Sequence, residues 1–405
     1  MIMNTKKPLV RWPRLLIGAA MMLFAGVIYA WSILKTPLSE EFGWSASALA
    51  LNFTLTLSFF CTGGLVGSLL TKHIAPRWAL LIAAGLVLLG FYLSSRMTGA
   101  ILMLYLSYGC LAGLGIGIVY NVVISATNAW FPDQKGLCSG VLMMCFGISS
   151  LLLGKVAEAL FESVGWRSTY LFLGIGIAAI LAVCGFAIRA PEPGTVFPAP
   201  KKARGGAEES FEAKDYSTSE MVRRFPFWRF FLFSILTSAV GSSVISFARD
   251  LALSVGAAAS LATTLVGVLS LCNGLGRVLC GVIFDALGRK KTMLIANLIT
   301  IAAPLLVLIA VTAKSLPLCV AGLCMTGIAY GCSPTISSAF ISAFYGTKHF
   351  SSNYSLANMM LVPSAFVATL SNSLLVSTGS FTAPFVMLLC FASLALLLNL
   401  SIRRP

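Results

Sequence analysis

The sequence predicts an all-α polytopic membrane protein, with twelve transmembrane helices in two six-helix bundles. Three observations carry that expectation. Hydrophobic residues fill 58% of the 405 positions and charged residues only 10%, too few charges to cover a soluble protein of this length. Many apolar runs reach or approach the ~20 residues that cross a ~30 Å hydrocarbon core as a helix, and they lack the alternation of barrel strands. The chain also repeats at an offset of 214 residues: Gly67-Ser-Leu-Leu-Thr71 against Gly281-Val-Ile-Phe-Asp285, and Arg77 against Lys291.

The elements follow in order. The stretch MIMNTKKPLVRWPR is a basic leader with no small-residue cleavage site after it, so it is expected to be cytoplasmic rather than a signal peptide. Spans one to six are expected at 13–35, 47–70, 78–95, 100–127, 137–160 and 168–188. Residues 189–226 are rich in Pro, Gly and charge and predict a linker. Spans seven to twelve are expected at 227–248, 258–283, 292–312, 316–342, 352–376 and 382–402. The domain plan is an N-terminal bundle at 1–188, a cytoplasmic linker at 189–226 and a C-terminal bundle at 227–405. Six plus six helices joined this way is the plan of a secondary transporter that rocks about a central site.

The net charge of +15 is explained by topology rather than by nucleic acid. With the N-terminus inside, 21 of the 28 Lys and Arg residues fall on the inner side and six on the outer side; the one left over is Arg277. Such asymmetry predicts a multi-pass protein of the cell membrane with both termini cytoplasmic. The eleven cysteines are scattered in or beside apolar runs with no CxxC, as small packing residues are. His73 and His349 fall in inner loops. Gly109-x-x-x-Gly113-x-x-x-Gly117 lies within span 4 with no strand before it, which predicts close helix packing rather than a nucleotide loop. No catalytic, metal or cofactor constellation is present in the sequence, so neither an enzyme nor a cofactor is expected.

Arg277 is the residue that the composition does not explain. It lies eight residues before Asp285, hence about 12 Å deep at 1.5 Å per residue, close to the bilayer midplane. A charge there costs roughly 2.5–3.5 kcal/mol on the insertion scale. The thirteen acids offer no mid-depth partner: Asp133, Asp285 and the linker acids belong to the inner side, and Glu40, Glu41, Glu158, Glu162 and Asp250 to the outer end. The expected partner is a transported anion, for which a guanidinium offers a bidentate fork. Asn273 lies one turn away on the same face. Tyr29, Tyr120 and Tyr330 sit at mid-depth as candidate O–H donors, and Trp31 is expected to pack or to close the outer side.

Gly281-x-x-x-Asp285-x-x-Gly288-Arg289-Lys290 resembles the signature of the major facilitator superfamily in the loop between helices 8 and 9. There the glycines allow close approach and a tight turn, and the acidic and basic residues pair across an inner gate. The first-half copy, Gly67 to Arg77, has Thr71 in place of the acid. Further motifs resemble the oxalate–formate antiporter family, bacterial relatives of monocarboxylate transporters. They are Asn128-Ala-Trp-Phe-Pro-Asp-Gln-Lys-Gly-Leu-Cys-Ser-Gly140, Gly26-Val-Ile-Tyr-Ala-Trp31, Gly115-Ile-Gly-Ile-Val-Tyr120, Asn273-Gly-x-x-Arg277 and Asn353-Tyr354. The resemblance implies that Arg277 binds a substrate carboxylate. It also implies a departure, because the oxalate transporter of that family has a second cation, a Lys in helix 11, where this chain has Leu361. Phe146, Thr326 and Asn358 occupy other cavity positions by the same resemblance.

One cation suits one carboxylate, since an unpaired second carboxylate in a dry cavity is costly. The expected function is alternating-access transport of a small organic anion, a monocarboxylate, by a carrier acting as a monomer. Oxalate-type dicarboxylate/formate exchange is the alternative. A drug or cation exporter would call for a mid-depth acid, and a non-transporting sensor for a soluble domain larger than the linker.

Overall fold

The computed structural model describes residues 11–191, 195, 197 and 214–403. The leader up to residue 10, the rest of the expected linker and the last two residues lie outside the described residues. Among the described residues, ten helical stretches are long and apolar enough to cross a membrane. Two of these, Lys135–Gly185 and Ala259–Thr312, contain 51 and 54 residues. At 1.5 Å per residue each exceeds about 75 Å, more than twice the hydrocarbon thickness. Each is broken at one glycine: Gly165 with φ 76° and ψ 163°, and Gly288 with φ 74° and ψ 178°. That backbone region is essentially reserved for glycine, so the chain reverses there. Counting each broken stretch as two restores the twelve expected spans.

The spans are therefore Trp12–Phe42 (span 1), Ala46–His73 (2), Pro76–Ser95 (3), Ile101–Asn128 (4), 135–164 (5) and 166–185 (6). Phe225–Ser254 (7), 259–287 (8), 289–312 (9), Leu316–Tyr345 (10), Phe350–Thr378 (11) and Thr382–Ser401 (12) form the second bundle. Several run longer than expected. Span 1 continues past residue 35 because its outer turn, although it carries Glu40 and Glu41, is anchored: Glu41 accepts from Trp166 Nε1 and pairs with Arg167 at 2.8 Å. The linker is not wholly irregular: Thr218–Val222 is a short helix started by a capping box between Ser217 and Glu220.

Within each bundle the helices approach at small residues. A Cβ on Gly117 would lie 2.0 Å from the Phe60 carbonyl, and one on Gly113 2.8 Å from the Thr56 carbonyl. Span 4 therefore packs on span 2 through the glycine series expected to pack helices. The N-terminal half of span 4, Tyr105–Ala112, is a π-helical segment that periodicity did not reveal. All eleven cysteines are free thiols.

The two bundles meet along one half of their length, the half that carries most of the basic residues. That end is called the basic face below. Gly136 and Gly281 cross there so closely that a Cβ on either would lie 2.2–2.5 Å from the other's carbonyl oxygen, and a Cβ on Gly140 would lie 2.6 Å from the Arg277 carbonyl. Buried polar pairs line the same contact: Ser139 Oγ to Ser338 Oγ at 2.8 Å, Asn121 Nδ2 to Ser355 Oγ at 2.6 Å, and Ser355 Oγ to the Gly64 carbonyl at 2.8 Å. Among the described residues, the hydrogen bonds between bundles run from mid-span to this face. The conformation is thus closed at the basic face.

Candidate functional site

Just above the closed contact lies a cleft enclosing about 410 Å³ of empty space, its mouth included. Tyr29, Phe60 and Tyr120 line it from the first bundle. Ser238, Arg277, Tyr330 and Pro334 line it from the second, with Asn358, Met360 and Leu361 of span 11. Irregular backbone positions several of these. Span 1 tightens to a 3-10 turn over Gly26–Ala30, which carries Tyr29. Span 11 breaks between Asn358 and Leu361. Pro334 lacks the N–H that would bond the Tyr330 carbonyl one turn earlier. Non-helical backbone at membrane depth is tolerated where it lines a cavity.

Arg277 is 4% exposed. Its Nη1 donates to the Met143 carbonyl of span 5, in the other bundle, and its Nε to Asn273 Oδ1 at 3.4 Å. Gly147 makes room for it, since a Cβ there would lie 3.1 Å from the guanidinium Cζ and Nη1. Both acceptors are neutral. A guanidinium has five N–H donors, so this arrangement orients the group without neutralising it. Two ion pairs, Arg11 with Asp133 and Arg167 with Glu41, belong to the two ends of the molecule.

The tyrosines divide by role. Tyr120 Oη lies 3.1 Å from Tyr354 Oη across the bundle boundary, so one of its two hydrogen-bonding functions is already used. Tyr330 is held against span 7 by Gly241, where a Cβ would lie 2.4–2.5 Å from its ring and Cβ. Tyr29 packs edge-on to Phe146 at 5.4 Å. Of the other expected cavity residues, Asn358 and Leu361 line the cleft, whereas Phe146 lies behind it, against Tyr29, Phe60 and Tyr120. Thr326 is fully buried and turns its hydroxyl back to the Gly322 carbonyl at 2.8 Å, because a helical threonine can satisfy itself in that way. Asn273 supports Arg277 from beside the cleft. Phe60, Ser238, Pro334 and Met360 were not anticipated; nothing in the sequence ties them to a cleft. Trp31 is 5% exposed and donates to the Leu49 carbonyl at 3.1 Å, a packing role.

The three expected gate residues sit at the basic face. Asp285 accepts from Gly136 N–H at 3.0 Å and Leu137 N–H at 2.9 Å, at the start of span 5. Its contact across the bundles is thus to backbone donors at a helix start, where a carboxylate is favoured, rather than to a basic side chain as expected. Gly288 makes the chain reversal, and the Arg289 guanidinium lies over the Phe344 ring at 5.0 Å.

Two helical bundles that close at one end beneath a cleft with a buried cation define a membrane carrier. Sequence comparison agrees: the chain belongs to the Major Facilitator Superfamily, whose profile matches residues 15–248 and again 230–405. Among its relatives, the uncharacterized MFS-type transporter YhjX of Escherichia coli (strain K12) is 29% identical over 85% of this chain and 83% of its own length. The oxalate:formate antiporter of Oxalobacter formigenes is 27% identical over 70% of this chain and 65% of its own. Human monocarboxylate transporter 12 is 28% identical over 80% and 66%. Among solved structures, the E. coli fucose:proton symporter FucP superposes with a TM-score of 0.70 over 98% of this chain and 100% of its own at 14% identity. The proton:xylose symporter XylE gives 0.71 over 97% of each chain, also at 14% identity. These two share the fold. The chain is a multi-pass secondary transporter.

Proposed function

We propose that the carrier moves a small organic anion with a single carboxylate, and that Arg277 binds that carboxylate. The observation that carries this is a buried guanidinium beside a cleft, bonded among the described residues to the neutral Met143 carbonyl and Asn273 amide. At 4 Å and an effective dielectric near 20, a carboxylate would gain about 4 kcal/mol from it. Tyr29 and Tyr330 are the donors best placed for the second carboxylate oxygen or a substrate carbonyl, Tyr120 and Asn358 complete the wall, and Asn273 orients the cation. The bundles at 1–188 and 227–405 are the rocking units, and 189–226 is the linker on the cytoplasmic side. The basic face is the cytoplasmic one of the cell membrane, so the conformation described faces outward, and one chain suffices for transport.

An empty Arg277 has to cross the closed intermediate unneutralised, which the anion relieves; exchange is therefore favoured over uniport. The dicarboxylate reading draws on the name of the Oxalobacter relative. Against it stands Leu361, an apolar residue lining the cleft where a second cation would serve. Counterflow into proteoliposomes with labelled acetate, lactate, pyruvate, formate and oxalate tests both. A monocarboxylate is expected to exchange fastest and Arg277→Gln to abolish it. Exchange by Arg277→Gln at the wild-type rate would overturn the proposal, and oxalate outcompeting every monocarboxylate would overturn its substrate class.

A further inference from the structure

The 214-residue repeat leaves one position unbalanced at the basic face. Asp285 of span 8 holds two N–H groups at the start of span 5, across the bundle boundary. Its counterpart in the first repeat is Thr71, at the end of span 2. Among the described residues Thr71 bonds its own helix, donating to the Gly67 and Ser68 carbonyls at 3.0 and 3.2 Å. Ser355 Oγ of span 11 bonds the Gly64 carbonyl of span 2, and the two helices run antiparallel. Two turns nearer the basic face on the same side of span 2, Thr71 therefore comes level with the start of span 11 at Phe350.

The backbone just ahead of span 11 is held by a different acid. Asp215 Oδ1, from the linker, accepts from Thr347 N–H at 2.9 Å and Lys348 N–H at 3.0 Å. The fit is specific in its backbone. Gly346 has φ 77°, and a Cβ on it would lie 2.2 Å from the Asp215 carboxylate and 2.9 Å from Asp215 Cα. The residues that follow are tied down as well. Tyr216 N–H donates to the Tyr345 carbonyl at 3.0 Å, the Tyr216 carbonyl accepts from the fully buried Asn353 at 2.9 Å, and Thr218 Oγ1 donates to Asn353 Oδ1 at 2.8 Å. From the other bundle, Lys135 lies in the electrostatic field of both Asp215 and Asp285.

We infer that Asp215 is a gating residue of the transport cycle: from the linker it supplies the acid that the first repeat lacks at Thr71, and with Asp285 it holds the basic face closed. Each carboxylate is then seated on backbone N–H groups at or just before a helix start, and the linker segment about Asp215 is part of the gate. A tether that merely joined the bundles would have no need of a left-handed glycine and a buried asparagine at its landing site. The inference rests on the carrier reading but not on the anion.

Amide hydrogen exchange of the full chain in lipid nanodiscs, without substrate, is the test. Asp215→Asn is expected to raise exchange several-fold at 136–140, in the other bundle, and to lower it at the far ends of spans 1 and 7 as the population shifts. Adding Thr71→Asp to that variant is expected to return both regions toward wild type. A rise confined to 345–353 would mean that Asp215 only caps its local loop, and overturns the inference. Failure of Thr71→Asp to restore protection at 136–140 overturns it equally. Neither result depends on which anion is carried, so a wrong substrate assignment stays distinguishable.

Discussion

The Arg277 guanidinium donates to the main-chain carbonyl of Met143, so the one cation at mid-span is bonded across the boundary between the two bundles. The group proposed to bind cargo therefore also bridges the two bundles. On the proposed reading a carboxylate would compete with that carbonyl for the same donors, and its binding would loosen a contact that opening of the basic face has to break.

This dual use makes the shape of the cation matter as well as its charge. Arg277→Lys keeps the charge but loses Nε and the planar fork, so it cannot hold Asn273 and a carboxylate together. Counterflow should show apparent affinity for the preferred anion falling by about tenfold, equivalent to about 1.4 kcal/mol, while Arg277→Gln gives none. Equal affinity for Arg277→Lys and wild type would show that only the charge matters.

Leu361 lines the same cleft as Arg277. Leu361→Lys adds a second positive group without touching Arg277. The ability of oxalate to inhibit monocarboxylate exchange should rise at least severalfold, with monocarboxylate transport reduced by the extra charge. Competition assays with both anions read this directly, and an unchanged ratio would remove Leu361 from the specificity argument.

Gly140 lies where spans 5 and 8 cross, and a methyl there would fall 2.6 Å from the Arg277 carbonyl and 3.1 Å from Val278 Cα. Those are backbone atoms, which cannot swing aside as a side-chain tip can. Gly140→Ala should therefore oppose closure of the basic face and leave folding of each bundle intact. Slowed exchange is expected, with amide protection lost at 136–147 but retained in span 3. Gly147→Ala meets only the movable guanidinium and should weaken substrate binding more than it shifts the conformation.

How much of this was legible in the sequence depends on what each feature needs from its neighbours. The twelve spans were, because crossing lipid is a property of each segment alone. Arg277 was, because a charge in such a segment is anomalous without any partner in view. Glycine spacing pointed to the place of Asp285, but not to its partners: a carboxylate that takes backbone N–H groups leaves no basic partner to find in sequence. Thr326 was misplaced because helical position gives depth and not which way a hydroxyl turns. Ser238 and Phe60 are defined only by the approach of distant helices. Asp215 sits in a charged linker whose composition does not reveal which acid docks on the loop before span 11.

The chain reversals at Gly165 and Gly288 supply the last prediction, on stability rather than transport. Both glycines have positive φ with extended ψ, a region in which a Cβ is strained by roughly 1–3 kcal/mol. They differ in what the strain can reach. No atom lies within 4 Å of a Cβ built on Gly165, so Gly165→Ala carries backbone strain alone. Gly288 precedes Arg289, which stacks on Phe344, and its carbonyl accepts from Thr292 Oγ1 at 2.7 Å. Gly288→Ala should therefore strain the turn and also disturb the basic face. Thermal unfolding in detergent should fall for both variants, while exchange activity per folded molecule should fall only for Gly288→Ala. Equal loss of activity in both would place the effect in folding and deny Gly288 a part in the gate.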